Sequence, residues 1–137
     1  MAKLIQDIWI LAESGIVLFH RVFNKQIDAQ LFGALMTALN VFAEQLSKGG
    51  LTNFELSEKR FSVIKRKNLL FIANSSKNQK HKKVAQELDI ITKRFFELYN
   101  DDFMAHFNGD IREFADFENE IELSLEEISR KFQKAFW

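Results

Sequence analysis

The sequence predicts an α+β domain: a five-stranded antiparallel sheet with helix 1 on one face and helices 2 and 3 on the other, in the order β-β-α-β-β-β-α-α. Three observations lead there. Two short apolar, partly β-branched runs flank Glu13-Ser14-Gly15. An apolar stretch is bounded by Asp28, a good helix cap, and by Gly49-Gly50, a good helix stop. From Leu51 onward, three strand-like runs separated by polar turns give way to helical periodicity.

In chain order, Ile8 to Ala12 and Ile16 to Phe23 form a hairpin. The first run is apolar at consecutive positions, so its strand is expected to be covered on both faces. Helix 1 follows, from Asp28 to about Leu46. At 100° per residue, Leu31, Phe32, Leu35, Met36, Leu39, Phe42, Ala43 and Leu46 share one half of it, which reads as the core stripe. Strands at Leu51 to Leu56, Arg60 to Ile64 and Leu69 to Ala73 make a meander. The alternation in Thr52-Asn53-Phe54-Glu55 suits a sheet edge, whereas the continuous Leu69-Leu70-Phe71-Ile72-Ala73 suits a central strand. Helix 2 carries Val84, Leu88, Ile91, Phe95 and Leu98 at four-three-four-three spacing. After a break at Asn108-Gly109-Asp110, helix 3 carries Phe114, Phe117, Ile121, Leu125, Ile128 and Phe132, with Glu118, Glu120, Glu122, Glu126 and Glu127 turned outward. Phe136-Trp137 reads as end-of-core packing, with an exposed peptide-like anchor as the alternative. The whole of 1–137 reads as a single domain with a helical carboxy-terminal extension from about residue 110.

Composition narrows the function classes. The chain has 137 residues and no cysteine, which removes disulfides, thiolate metal sites and cysteine nucleophiles, and fits a reducing cytoplasmic compartment. Nineteen basic residues balance nineteen acidic ones, so no overall field gathers a nucleic acid. The apolar runs are too short to span a bilayer, and the first residues lack the pattern of a secretory signal. Peripheral membrane contact is the most that is expected. His20, His81 and His106 are scattered, and neither a nucleophile elbow nor a phosphate-binding loop is present. No catalysis, cofactor or metal site is expected.

The run Ile8-Trp9-Ile10-Leu11-Ala12-Glu13-Ser14-Gly15-Ile16-Val17-Leu18-Phe19, the Asp28-started helix, the stretch from Phe61 to Ala73, and helix 2 ending Arg94-Phe95-Phe96-Glu97-Leu98-Tyr99 together resemble the longin family. The related roadblock family shares the sheet but opens with a helix; a strand-first chain looks more like a longin. A SNARE longin continues into a heptad-repeat helix, so the stop at Trp137 points away from that branch. The resemblance implies binding instead of catalysis: an interaction module, dimeric with itself or with a related longin or roadblock chain, that recruits or regulates a Ras-like small GTPase in trafficking or signalling. A second reading is a structural adaptor subunit of a larger trafficking complex, receiving a peptide or partner chain.

Two surfaces stand out as candidate contacts. Opposite the core stripe of helix 1 lie Gly33, Ala34, Thr37, Ala38 and Val41, small residues where a solvated helix would carry lysines and glutamates. They read as a second packing face, for a partner or for a loop of the same chain. Lys65, Arg66 and Lys67 in a hairpin turn, and Lys80, Lys82 and Lys83 at the start of helix 2, form a candidate basic contact patch for acidic lipid or an acidic partner, with an ordinary solvated surface as the plainer reading.

Overall fold

Consecutive apolar residues need cover on two sides, and in the computed structural model β1 (Asp7–Leu11) has it. Residues 4–22 and 28–121 are described. Strand β1 lies between β2 (Val17–Arg21) and β5 (Leu69–Ser76), and β4 (Lys59–Arg66) and β3 (Asn53–Glu55) complete an antiparallel sheet in the order β2-β1-β5-β4-β3. Trp9 pairs with His20 on one side and Ile72 on the other. As alternation along a strand demands, Ile8 and Ile10 point to one face, and Trp9 and Leu11 to the other. The expected central strands are central, and the expected edge, β3, is an edge. The turn joining β4 to β5 has both central residues, Lys67 and Asn68, at positive φ, as a two-residue hairpin loop requires.

Helix α1 (Ala29–Leu46) starts where Asp28 Oδ1 accepts a hydrogen bond from the Leu31 amide at 3.0 Å. It covers the Trp9 face, where Phe32 stacks on the indole at 4.2 Å and the aromatic row continues through Phe61 to Phe54. Helix α2 (His81–Leu98) covers the opposite face through Val84, Leu88, Ile91 and Phe95. Leu98, expected in that stripe, is 38% exposed, and Tyr99 takes the buried place after the helix end. Asn100 caps a five-residue helix α3 (Asp101–Ala105), and a 3-10 turn at Ile111–Phe114 leads to a helical stretch at 117–121. Phe114, Phe117 and Ile121 are buried on the α2 side, and Glu120 meets Arg94 at 2.9 Å. Leu125, Ile128, Phe132, Phe136, Trp137 and the glutamates after Ile121 lie outside the described residues, as does Phe23 of the second run.

The expected core stripe of helix 1 requires correction. Of its eight residues, Phe32, Met36 and Ala43 turn inward. Leu31, Leu35, Leu39, Phe42 and Leu46 face outward and are 40% to 74% exposed. The residues that seat the helix are instead Ala29, Phe32, Gly33, Met36, Thr37, Asn40 and Ala43, spaced three and four apart. The physical reason is close approach. At Gly33 a Cβ atom would sit 2.5 Å from the carbonyl oxygen of Gly15 and 2.7 Å from Val17 Cγ2, so only glycine lets the helix backbone reach the β1–β2 turn.

Buried Asn40 anchors the other end of the contact. Its Oδ1 accepts from the Leu51 amide at 3.2 Å, and its Nδ2 donates to Glu44 at 2.8 Å. Asn40→Ala should lower unfolding free energy by about 1–2 kcal/mol, because a part-buried amide loses its acceptor while alanine recovers only a little helix propensity. Urea denaturation checks this, and an unchanged midpoint would mean that water replaces the side chain.

Candidate partner interface

Two apolar ridges follow from the rotation of α1 described above. Leu31, Leu35 and Leu39 form one row at i, i+4 spacing; Ala34, Ala38, Phe42 and Leu46 form the next, and all seven are exposed. Val41, 52% exposed, flanks them. Glu44 is the single ionised residue from Ala29 to Ser47. Lys65 Nζ holds it at 2.7 Å, and that bond, followed by the one from Asn40, keeps its carboxyl below the usual carboxylate range. A solvated helix face is normally polar, so among the described residues this is an apolar surface without a cover.

The five residues singled out on the small face divide between two roles. Gly33 is buried and Thr37 half-buried against the Gly15 turn, so a loop of the same chain covers them. Ala34, Ala38 and Val41 are exposed and border the leucine ridges. What sequence reasoning missed is that five of the large residues it placed in the core, Leu31, Leu35, Leu39, Phe42 and Leu46, are accessible. The signal was present in the near absence of charge around the whole circumference of α1, which a helix with only one buried face does not need.

The six basic residues do not form one surface. Lys65, Arg66 and Lys67 lie at the β4–β5 turn, and Lys80, Lys82 and Lys83 follow the far end of β5, whose eight residues span about 25 Å. Each member of the first group has an acidic partner: Lys65 with Glu44, Arg66 with Asp89 at 3.2 Å, and Lys67 with Asp101 at 2.9 Å. Lys67 also sits 4.9 Å above the Phe96 ring. These pairs tie the turn to α1, α2 and α3. The second group is exposed at the amino-terminal end of α2.

Elsewhere, an open groove of about 470 Å³ is lined by polar residues including Gln6, Glu58, Lys59 and Lys77. Lys59 donates to Gln6 Oε1 at 2.9 Å, and Lys77 approaches Glu55 at 3.5 Å. The buried polar groups are structural: Asp7 and Asn74 exchange two hydrogen bonds of 2.9 and 3.0 Å across β1 and β5, and Glu87 accepts from the Ile5 amide. Burial lowers the pKa of Arg21, opposed by the charges of Glu118, Asp7 and Glu87. Among the described residues, no group of three or more His, Asp or Glu side chains converges to hold a metal ion, and no helix is long and apolar enough to cross a membrane.

The family profile for the first longin domain of FUZ, MON1 and HPS1 matches residues 6–128. The chain belongs to this longin family. No curated protein matches it by sequence search. Among solved structures, the longin domain is similar to a chain of the mammalian signal recognition particle receptor, with 15% identity, TM-score 0.58, and 95% of this chain and 98% of that one covered. It is also similar to a chain of the SRβ-GTP/SRX complex of the signal recognition particle receptor from Chaetomium thermophilum: 22% identity, TM-score 0.55, coverage 89% and 98%. A roadblock/LC7 domain from Streptomyces avermitilis shares 14% identity at TM-score 0.58, with 71% and 86% covered. At these identities the likenesses establish a common fold, which joins the longin and roadblock architectures on one sheet.

Proposed function

We propose that this longin domain is a non-catalytic interaction module that assembles through the outer face of α1 and, in the assembled form, recruits or regulates a Ras-like small GTPase in trafficking or signalling. The observation that carries the reading is the pair of exposed apolar ridges on a helix with one ionised side chain. Six large side chains left in water by a well-packed domain are a binding surface in search of its cover. The GTPase part rests on the family and on the similar fold of a chain in the SRβ-GTP/SRX complex. No residue of this chain carries it independently.

Two measurements test the two parts. Leu35→Glu should leave the thermal midpoint of the isolated domain nearly unchanged, since Leu35 is 55% exposed, while weakening assembly at least tenfold by placing a charge in an apolar seam. Unfolding of this variant would mean that the ridge is internal packing. For the GTPase part, the assembled domain is titrated by calorimetry against each Ras-like GTPase of its own genome, loaded with GDP or with a slowly hydrolysed GTP analogue. Binding to one in a nucleotide-dependent manner supports the proposal, and no binding in either state overturns it in favour of the adaptor reading.

A further inference from the structure

We infer that the end of the domain carrying the β5–α2 loop docks on anionic membrane and holds the domain by that end, with α1 clear of the lipid. This docking does not depend on assembly through α1. The chain's charge balance is zero only in total. From Lys59 to Gln86 there are nine lysines and arginines and no aspartate or glutamate. Glu44, Asp89 and Asp101 reach across to the group at the β4–β5 turn. At the other end of β5 the balance is different. The first turn of α2 contains no acidic residue, and Lys77, Lys80, Lys82 and Lys83 are all exposed. The acidic residues of the adjoining β3–β4 turn are Glu55, already held by Arg60 and Lys77, and Glu58. Cations crowded at the positive end of a helix repel one another and the dipole, and an anionic surface offsets both repulsions.

The chemistry of the group selects a membrane over an acidic protein segment. Its exposed members are lysines, hydrated point charges suited to a diffuse layer of headgroups, whereas a defined carboxylate is best met by the planar fork of arginine. Arg60, at the same end, is committed to Glu55 and to the Gln79 carbonyl oxygen. Beside the lysines stands an apolar tip. Leu56 is 56% exposed, and its turn is joined to the basic loop where the Lys77 amide donates to the Glu58 carbonyl oxygen at 3.1 Å. One end of the domain thus offers charge to the headgroups and a leucine to the layer beneath them. The opposite end repels the same surface. The eighteen residues of α2 rise about 27 Å, several screening lengths of about 8 Å each, before the exposed Glu97, Asp101 and Asp102. The seats of α1 are at that far end too, with Gly33 on the Gly15 turn and Glu44 on Lys65.

Flotation of the full chain with vesicles of phosphatidylcholine containing a third phosphatidylserine should show binding that is absent with phosphatidylcholine alone. Binding should fall about tenfold or more as ionic strength rises from about 0.1 M to about 1 M, where the screening length shortens from about 10 Å to about 3 Å. At about fivefold per lysine, the triple variant Lys80→Gln, Lys82→Gln and Lys83→Gln should lose about a hundredfold in partition. Lys65→Gln combined with Lys67→Gln, at the other end of β5, should change it little. Orientation is read from a polarity-sensitive dye on an introduced cysteine, the only one in the chain. With Leu56→Cys its emission should shift to the blue on vesicle binding, and with Asp102→Cys it should not. Equal binding to neutral vesicles, equal loss from the two lysine variants, or a dye shift at position 102 as large as at 56 overturns the inference. So does a chain that ignores both kinds of vesicle, and if it then binds a glutamate-rich peptide through Lys80, Lys82 and Lys83, the surface belongs to an acidic protein instead.

Discussion

Phe95→Ala is expected to lower the unfolding free energy by about 3–5 kcal/mol, the range for deleting a fully buried aromatic ring whose site cannot collapse. The ring is fully buried and lies 4.8 to 5.7 Å, centroid to centroid, from Phe71, Phe96, Tyr99, Phe114 and Phe117. Those neighbours come from β5, from α2 and the residue after it, and from the segment between 111 and 121. Each is held by its own element. Phe71 is fixed by β5, whose pairing with β1 and β4 continues on both sides, so relaxation into the void would have to bend the centre of the sheet. Several edge-to-face contacts, each adding about 0.5–1.5 kcal/mol beyond area, are lost at once. Denaturant titration followed by circular dichroism measures the effect, with Leu98→Ala on the same helix as control. Leu98 is 38% exposed and its loss should cost under about 1 kcal/mol. A Phe95→Ala loss as small as that of the control would show that α2 and the following segment are not cemented by this ring.

Gly33→Ala is the second large effect, and its sign is diagnostic. On an exposed helix surface the change would stabilise by about 1 kcal/mol, since alanine is the better helix former. Here the added Cβ meets the Gly15 carbonyl oxygen at 2.5 Å and Val17 Cγ2 at 2.7 Å. The carbonyl belongs to a turn whose Gly15 has φ +95° and whose amide donates to the Ala12 oxygen at 2.9 Å, so it cannot swing away cheaply. The helix must lift instead, loosening the Phe32 stack on Trp9. Overpacking of this kind costs about 1–3 kcal/mol, and the net change should be a loss. A rise in melting temperature would place Gly33 on the outer surface and reverse the orientation of α1 described above.

The sheet was legible before any coordinates because strands record their surroundings locally. Five apolar residues in succession at Ile8 to Ala12, and again at Leu69 to Ala73, say that both faces are covered, while the alternation around Phe54 says that one is not. The Asp28 cap and the paired glycines after Ser47 bounded α1 by backbone chemistry that needs no tertiary partner. In α2, Lys82, Lys93 and Glu97, opposite Val84, Leu88, Ile91 and Phe95, marked the wet side, while Glu87 is buried.

The rotation of α1 was not legible, and the same gap hid half of the candidate interface. A helix with apolar residues around most of its circumference has two candidate inner faces, and side-chain size favours the leucine face in any local reckoning. What decides between them is a contact between residues far apart in the chain: the turn at Gly15 reaching Gly33, Trp9 stacking on Phe32, and Asn40 meeting the Leu51 amide. Likewise, sequence presented six basic residues in two clusters but not their separation along β5, nor the carboxylates of Glu44, Asp89 and Asp101 that neutralise the first cluster. By itself, then, the sequence determined the strands, the limits of α1 and the order of the main elements, because those depend on neighbours within a few residues, whereas the short helix at Asp101–Ala105 and the 3-10 turn at Ile111–Phe114 were not read from it. The tertiary structure alone decided which face of α1 is buried and which is left exposed, because that choice is made by close approach between distant backbones.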